Sequence, residues 1–284
     1  MKNNKRDIAF AAAESGKLLD LVRRELPDIP AGKTKSYLEH RMISVDDVVT
    51  SKYNYAVKRG QTIKIRQSPS GAHASPLEII YEDSDLFAVN KPAGLLTVAT
   101  DTEKENTAIR LLREGGASPL FVVHRLDRDT SGVLLLAKSA DMRDALQNAW
   151  ESVRRREYAA VCEGVFAKKS GRCDTLLRET AAHLVYSAQS GDGKRAITNY
   201  EVIRENERYS YLRVLIETGR KNQIRVHLKD LGHPVAGDKK YGAAGNPLGR
   251  LGLHASVLEL AHPRTGKTLI VTAKAERRFR LPKA

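Results

Sequence analysis

The chain has 284 residues and a mass of 31.5 kDa, with 41% hydrophobic and 29% charged residues, which excludes a single small module and a globally disordered chain. Its formal net charge of +14 and pI near 9.7 point to a polyanionic partner such as nucleic acid. The longest apolar run, Ile8 to Ala13, falls far below the roughly 20 residues of a spanning helix, so no membrane segment is expected.

Residues 1–14 combine Lys2, Lys5 and Arg6 with an apolar stretch shorter than the roughly 7–15 residues of a secretory signal, and read as an N-terminal arm. Leu18, Leu19, Val22 and Leu26 follow helical spacing, predicting a helix over 16–26 with Ser15 as N-cap and Pro27 past its end. A second helix is expected over 33–40, with Tyr37 and Leu38 inward, then strands at 43–49 and 62–66 with Lys58-Arg59-Gly60 as a turn. Residues 1–75 hold 14 Lys and Arg against 8 Asp and Glu, so residues 15–67 read as a small basic domain. The uncharged Ser, Pro, Gly and Ala of 68–76 mark a linker. Helix, helix, then short strands with a basic face resembles the ribosomal-protein-S-four-type RNA-binding domain, with Val45-Asp46-Asp47 where that family carries Val-Asn-Gly.

Residues 77–284 open with apolar runs at 77–81 and 86–89 around Glu82-Asp83-Ser84-Asp85, predicting a β-hairpin. Further strands are expected at 120–123, 133–137, 157–162, 196–203, 210–217, 255–260 and 268–272, and helices at 107–114, 140–153 and around 222–231. The absence of βαβα alternation predicts an α+β fold on a mixed, mainly antiparallel central sheet with flanking helices.

Between two apolar strands lies HRLDRDTSG, 124–132, whose density of charge no folding requirement explains. Asp127 and Asp129, two apart, point oppositely in an extended segment, so one of them faces a given cleft. A carboxylate beside Arg125 or Arg128 is held ionised, fit to act as nucleophile or base. In ETGRKNQIRVHL, 217–228, Gly219 makes a break, and Arg220, Gln223, Arg225 and His227 gather donors after a strand end. The Gly-Lys-Thr of 266–268 lacks the glycine at 261 that a phosphate loop needs, and 191–194 lacks a dinucleotide fingerprint, so no nucleotide cofactor is expected. Cys162 and Cys173 sit in no CxxC and are read as free thiols, and the histidines show no zinc-ligand spacing.

HRLDRDTSGVLLLAK at 124–138, REYAAVCEG at 156–164, ETGRKNQIRVHL with GHPVAGDKKYG at 217–242, LHA at 253–255 and VNKPAGL at 89–95 together resemble the RluA-type pseudouridine synthase family over almost all of 77–284. The resemblance implies the pseudouridine synthase fold, isomerisation of uridine in structured RNA, and no cofactor or metal. It implies Asp127 as the essential carboxylate, either nucleophile at the ribose anomeric carbon or base at the neighbouring position. It implies Tyr158 packing on the base and assisting removal of the carbon 5 proton, Arg225 ion-paired with Asp127, and Ile224 beneath the base. His124, Arg125, Arg128, Arg220 and Gln223 join them as expected substrate contacts, with 154–156 as further phosphate contacts. Lys221-Asn222 stand where the family commonly has Thr-His, and Arg156 where it has Lys. The expected target is large-subunit ribosomal RNA, with transfer RNA second, and the expected state a cytoplasmic monomer. Two other classes stay open: a non-catalytic RNA-binding or ribosome-assembly factor, and a nucleoside or glycoside hydrolase using Asp127 with Asp129.

Overall fold

A computed structural model describes residues 8–65 except 28, 31–33, 36, 39–41, 47 and 51, and residues 77–281 except 118, 189 and 280. The expected linker, 68–76, lies outside the described residues. The chain divides into two compact units, residues 1–76 with 109–119, and residues 77–108 with 120–284. Residues 109–119 thus leave the unit that chain order gives them, because compactness follows spatial neighbours, which chain order does not report.

In the smaller unit, strand β1 (Ile8–Ala11) alternates half-buried and exposed side chains and pairs antiparallel with β6 (Thr62–Ile65). This corrects the reading of 1–14 as an arm: four residues of it belong to a sheet. The two-residue β2 (Gly16–Lys17) leads into helix α1 (Leu18–Glu25), whose Leu18, Leu21 and Val22 are buried. The N-cap is Lys17 and makes no side-chain cap. Ser15, expected there, is two residues early and instead accepts a hydrogen bond from the Arg59 amide at 3.0 Å. Of the second expected helix, the described residues 34, 35, 37 and 38 are helical, with Tyr37 and Leu38 buried. The single strand expected at 43–49 is two, β3 (Ile43–Val45) and β4 (Val48–Val49), bent back at Asp46, which has φ 47°. An aspartate tolerates that left-handed turn when its carboxylate is tied locally, and Asp46 accepts from the Thr62 amide and Gln61 Nε2, both at 2.8 Å. With β5 (Ala56–Val57) pairing β2, the sheet order β1-β6-β3-β4 closes over a core that includes Ile43, Ile63 and Ile65.

The larger unit is built on one sheet of eleven strands. Its hairpin β7 (Glu78–Glu82) and β8 (Leu86–Lys91) forms as the sequence predicts. Helix α2 (Ala108–Glu114), which from residue 109 on belongs to the smaller unit, follows in chain order. Then come β9 (Phe121–Val122), β10 (Ser131–Ala137), helix α3 (Ala140–Asn148) and β11 (Arg155–Glu163). The helix expected to reach 153 ends at 148 and gives way to one 3-10 turn, Trp150–Ser152, so Arg155 and Arg156 open a strand. Beyond lie β12 (Ser170–Glu179), β13 (Val185–Ala188), β14 (Lys194–Glu205), β15 (Tyr209–Ile216), helix α4 (Gln223–Asp230), β16 (Leu253–Ala261) and β17 (Thr268–Thr272).

The strand order is β13-β12-β14-β15-β11-β16-β10-β8-β7, with β17 on β16 and β9 on β10. Among the described pairings one is parallel, β10 with β16, and the sheet is mixed and mainly antiparallel. This junction lies at the middle of the sheet, where β10 leaves HRLDRDTSG. Gly132 has φ 114°, and a Cβ there would lie 2.1 Å from the Ala255 carbonyl oxygen, so only glycine lets the two strands meet. Strand β10 is buried along its whole length, the continuous apolar pattern of a strand covered on both faces.

Candidate active site

Asp127 lies on the irregular loop between β9 and β10, and both of its neighbours are clamped. Thr97 Oγ1 donates to the Leu126 carbonyl at 3.0 Å and accepts from the Leu126 amide at 3.2 Å. Lys91, fully buried, donates through Nζ to the carbonyls of Pro92, Leu95 and Arg128 at 3.0, 2.7 and 3.1 Å. The Gly94 amide donates to the same Arg128 carbonyl at 2.9 Å. Burial pushes the Lys91 ammonium down to about 8, against the opposing pull of Asp129 and Asp127. The VNKPAGL motif is therefore a brace for the aspartate loop.

Asp127 lines a cavity of two joined lobes, of about 600 Å³ and 90 Å³, which share Arg125, Asp127, Tyr158, Ile216, Gly219 and Arg220 as walls. Ile224 and Arg225 close the smaller lobe, and Trp150, Arg156 and Leu258 line the larger. Burial raises the Asp127 carboxyl above the usual carboxylate range, opposed in order by Arg225, Lys221, Lys91 and Arg125. The sequence reading gave the cations the upper hand, but desolvation is the larger effect. Tyr158, on β11, is pushed up to about 12 by burial, with Arg156 drawing it down and Asp127 pushing it up, so it is a neutral phenol at physiological pH.

Arg225 makes the expected ion pair with Asp127, and a second carboxylate holds it more closely. Its guanidinium is held by Asp238, with Nε to Oδ2 at 2.6 Å and Nη2 to Oδ1 at 2.7 Å. Its Nη1 donates to Asn222 Oδ1 at 2.9 Å and stands 3.9 Å from Asp127 Oδ2, an ion pair longer than a hydrogen bond. Asn222 caps α4 with φ 54°, a left-handed conformation that asparagine tolerates, and its Nδ2 donates to the Tyr241 hydroxyl at 3.1 Å. Asp238 and Asn222 were missed as functional positions. The signal was present in the GHPVAGDKKYG stretch, where a lone Asp inside an apolar, glycine-rich loop needs a buried cation.

Several expected contacts have other work. Gln223 is buried, and its amide is committed: Oε1 accepts from Thr218 Oγ1 and the Arg220 amide, and Nε2 donates to the Ile197 carbonyl and Thr198 Oγ1. It braces the turn and also lines the smaller lobe. His124 Nε2 accepts from the Leu135 amide at 3.0 Å and its ring stacks on Trp150 at 4.6 Å, while burial lowers it to about 4, so it is a neutral wall residue. Arg128 is exposed, donates to the Gly94 carbonyl at 3.2 Å and lines neither lobe. Arg125 and Arg220 do stand at the cavity, both exposed. Asp129 is exposed and lines neither lobe, so Asp127 and Asp129 form no carboxylate pair across a shared cleft. The run 154–156 diverges: Arg154 donates to Thr268 Oγ1, Arg155 pairs with Glu157, and Arg156 is buried. His254 of the LHA motif is buried between Ser131 Oγ at 2.8 Å and the Ala273 carbonyl at 3.0 Å, tying the end of the aspartate loop to β16.

An aspartate on a braced loop, facing a tyrosine and a buried arginine at the centre of a mixed sheet, is the arrangement the motifs pointed to. The family model for RNA pseudouridylate synthase matches residues 85–230, and the chain belongs to that family: it is an RNA pseudouridine synthase, an isomerase acting on RNA. It is 32% identical over 252 residues to uncharacterized RNA pseudouridine synthase YhcT of Bacillus subtilis (strain 168), covering 84% of this chain and 83% of that one. It is 30% identical over 288 residues to ribosomal large subunit pseudouridine synthase D of Haemophilus influenzae, covering 90% and 87%. Human RNA pseudouridylate synthase domain containing 4 superposes with a TM-score of 0.58 at 26% identity, covering 71% of this chain and 90% of that structure. The pseudouridine synthase fold and the RluA-type resemblance therefore hold.

Proposed function

We propose that the enzyme isomerises uridine in large-subunit ribosomal RNA, with Asp127 at the reacting ribose, Tyr158 and Ile224 against the base, and Arg225 orienting the carboxylate. The observation that carries this reading is that these four side chains line one lobe, with Asp127 and Arg225 3.9 Å apart. The target nucleotide must leave its stack, because the glycosidic bond is unreachable inside a helix. The C1′–N1 bond breaks with its electron pair going to the base, while Asp127 either bonds to C1′ or takes the C2′ proton. The detached uracil turns inside the cavity, and C5 bonds to C1′ as the Asp127–C1′ bond breaks or, on the other route, as the C2′ proton returns; the C5 proton leaves and N1 gains one. As a neutral phenol Tyr158 serves as a packing surface, not as a resting-state base. Exposed Arg125 and Arg220 at the cavity suit the RNA backbone.

The ribosomal target is supported by the relatives whose names carry that substrate and by the basic N-terminal segment, read as an RNA-recruiting module. The family resemblance supports a monomer working in the cytoplasm. Tritium release from ribosomal and transfer RNA transcripts labelled at uridine C5 tests the proposal. Release from ribosomal RNA by the intact chain, lost in Asp127→Asn, is expected. Release from transfer RNA alone overturns the target, and undiminished release by Asp127→Asn overturns the site.

A further inference from the structure

Arg156 precedes Tyr158 by two residues on β11, across an irregularity in the pairing with β16, and both line the larger lobe. Arg156 is 8% exposed, and Trp150 and Leu258 line the same lobe. Nη2 donates to the Glu217 carbonyl, while Nε is buried without a hydrogen-bond partner. Among the described residues no carboxylate forms an ion pair with it. The Glu217 carboxylate is engaged by Arg172 and Asn199, and Glu157 by Arg155. Glu151 acts on it at longer range, and Arg220 is a like charge nearby. Gly219 keeps one side of the guanidinium clear, since a Cβ there would lie 3.3 Å from Nη1.

An arginine stays protonated when buried, so this is a cation in a low-dielectric wall that the protein itself does not neutralise. The anion that meets it comes from the substrate. A phosphate stays on the RNA strand, in reach of the exposed Arg125 and Arg220. What reaches past Tyr158, a wall the two lobes share, toward the side lined by Val133, Arg156, Ala255 and Leu258 is the base, which becomes anionic only once its bond to the ribose breaks.

We propose that Arg156 is a catalytic residue that stabilises the uracil anion released from the ribose by donating an N–H to one of its carbonyl oxygens. This rests on the reading of the cavity as the uridine site. As the C1′–N1 bond breaks, its electron pair spreads over N1, O2 and O4, and Arg156 meets that charge. When C5 bonds to C1′, C5 loses its proton and N1 gains one, so the base is again neutral and nothing is oxidised or reduced. A donor fixed where charge develops favours the transition state over bound uridine.

The test is single-turnover loss of the N-glycosidic linkage, read by nuclease digestion and chromatography. Wild type, Arg156→Lys and Arg156→Met are compared on RNA carrying uridine or 5-fluorouridine, whose base is the more acidic and leaves more readily. Arg156→Met is expected to slow the step on uridine RNA about 10²–10³-fold with RNA affinity retained. Arg156→Lys should recover part of the loss, and both deficits should shrink on 5-fluorouridine RNA. Equal deficits on the two RNAs, or a deficit confined to RNA affinity, would overturn the proposal. If Arg156→Met does not fold, Arg156→Lys alone decides by the same comparison. A wild-type chain that cleaves neither linkage overturns the uridine reading beneath it, a result distinct from wild-type cleavage with uniform variant deficits.

Discussion

Asp238 holds the Arg225 guanidinium through two hydrogen bonds of 2.6 and 2.7 Å, and thereby sets Nη1 3.9 Å from Asp127. The arginine is presented to the Asp127 carboxylate by a second, buried carboxylate that lines neither lobe. Removing one partner of a buried bidentate pair leaves the other charge uncompensated. Asp238→Asn is therefore expected to destabilise the fold by about 3–5 kcal/mol. It should also slow single-turnover isomerisation more than it weakens RNA binding, and urea denaturation beside rapid-quench kinetics checks both. Unchanged stability would mean that Arg225 finds another partner.

The sequence showed most of this site, because HRLDRDTSG packs five charged or titratable groups between two strands that are otherwise apolar. Strand β12 was not legible: Ser170–Glu179 has few apolar side chains, and its eight pairings with β14 are backbone interactions that leave no compositional trace. The hydrogen bonds that Gln223 and His124 make within the protein were not legible, for one shared reason. A polar residue beside a catalytic motif can face the substrate or hold the loop, and only the geometry of its partners distinguishes the two. Thr97 was invisible for the same reason, since a single threonine 29 residues from Leu126 carries no sign that it grips that residue's backbone.

In the proposed reaction Asp127 acts as a carboxylate, and burial raises its pKa. The rate of the chemical step is expected to fall as pH drops through a value above the ordinary carboxylate range. Lys221 is the second of the cations opposing that shift, so Lys221→Gln should move the acid limb to still higher pH without abolishing the rate at its plateau. Single-turnover rates from about pH 4, the ordinary carboxylate range, up to about pH 9 measure the limb. A limb that stays in place in Lys221→Gln would assign it to another group.

Burial lowers the Lys91 ammonium to about 8, from the ordinary lysine value of 10.5. Between those values the unfolded chain binds more protons than the folded one, so this residue makes stability rise with pH across that window. The wild type should gain on Lys91→Met by on the order of 3 kcal/mol between pH 7 and 10.5. At pH 7 the variant is expected to be less stable, because three carbonyls lose their donor. Denaturant midpoints of the two proteins, measured in parallel at each pH, isolate this difference. A gap that stays constant with pH would mean that Lys91 keeps its proton in both states.

Gly132 combines φ 114° with a backbone approach that leaves no room for a methyl group. A Cβ at 2.1 Å from the Ala255 carbonyl oxygen would force β10 away from β16 at their parallel junction. Ser131 and His254 pair at the same junction, and their hydrogen bond ties the end of the aspartate loop to the sheet. Gly132→Ala is therefore expected to cost more than the roughly 1–3 kcal/mol of left-handed strain alone, because a clash with backbone adds to it. Activity should be lost in step with stability, since the strand that shifts carries the loop holding Asp127. Thermal unfolding and tritium release on the same preparation test this. A Gly132→Ala protein with wild-type stability would show that β10 and β16 can separate freely, and that the loop is held by Thr97 and Lys91 alone.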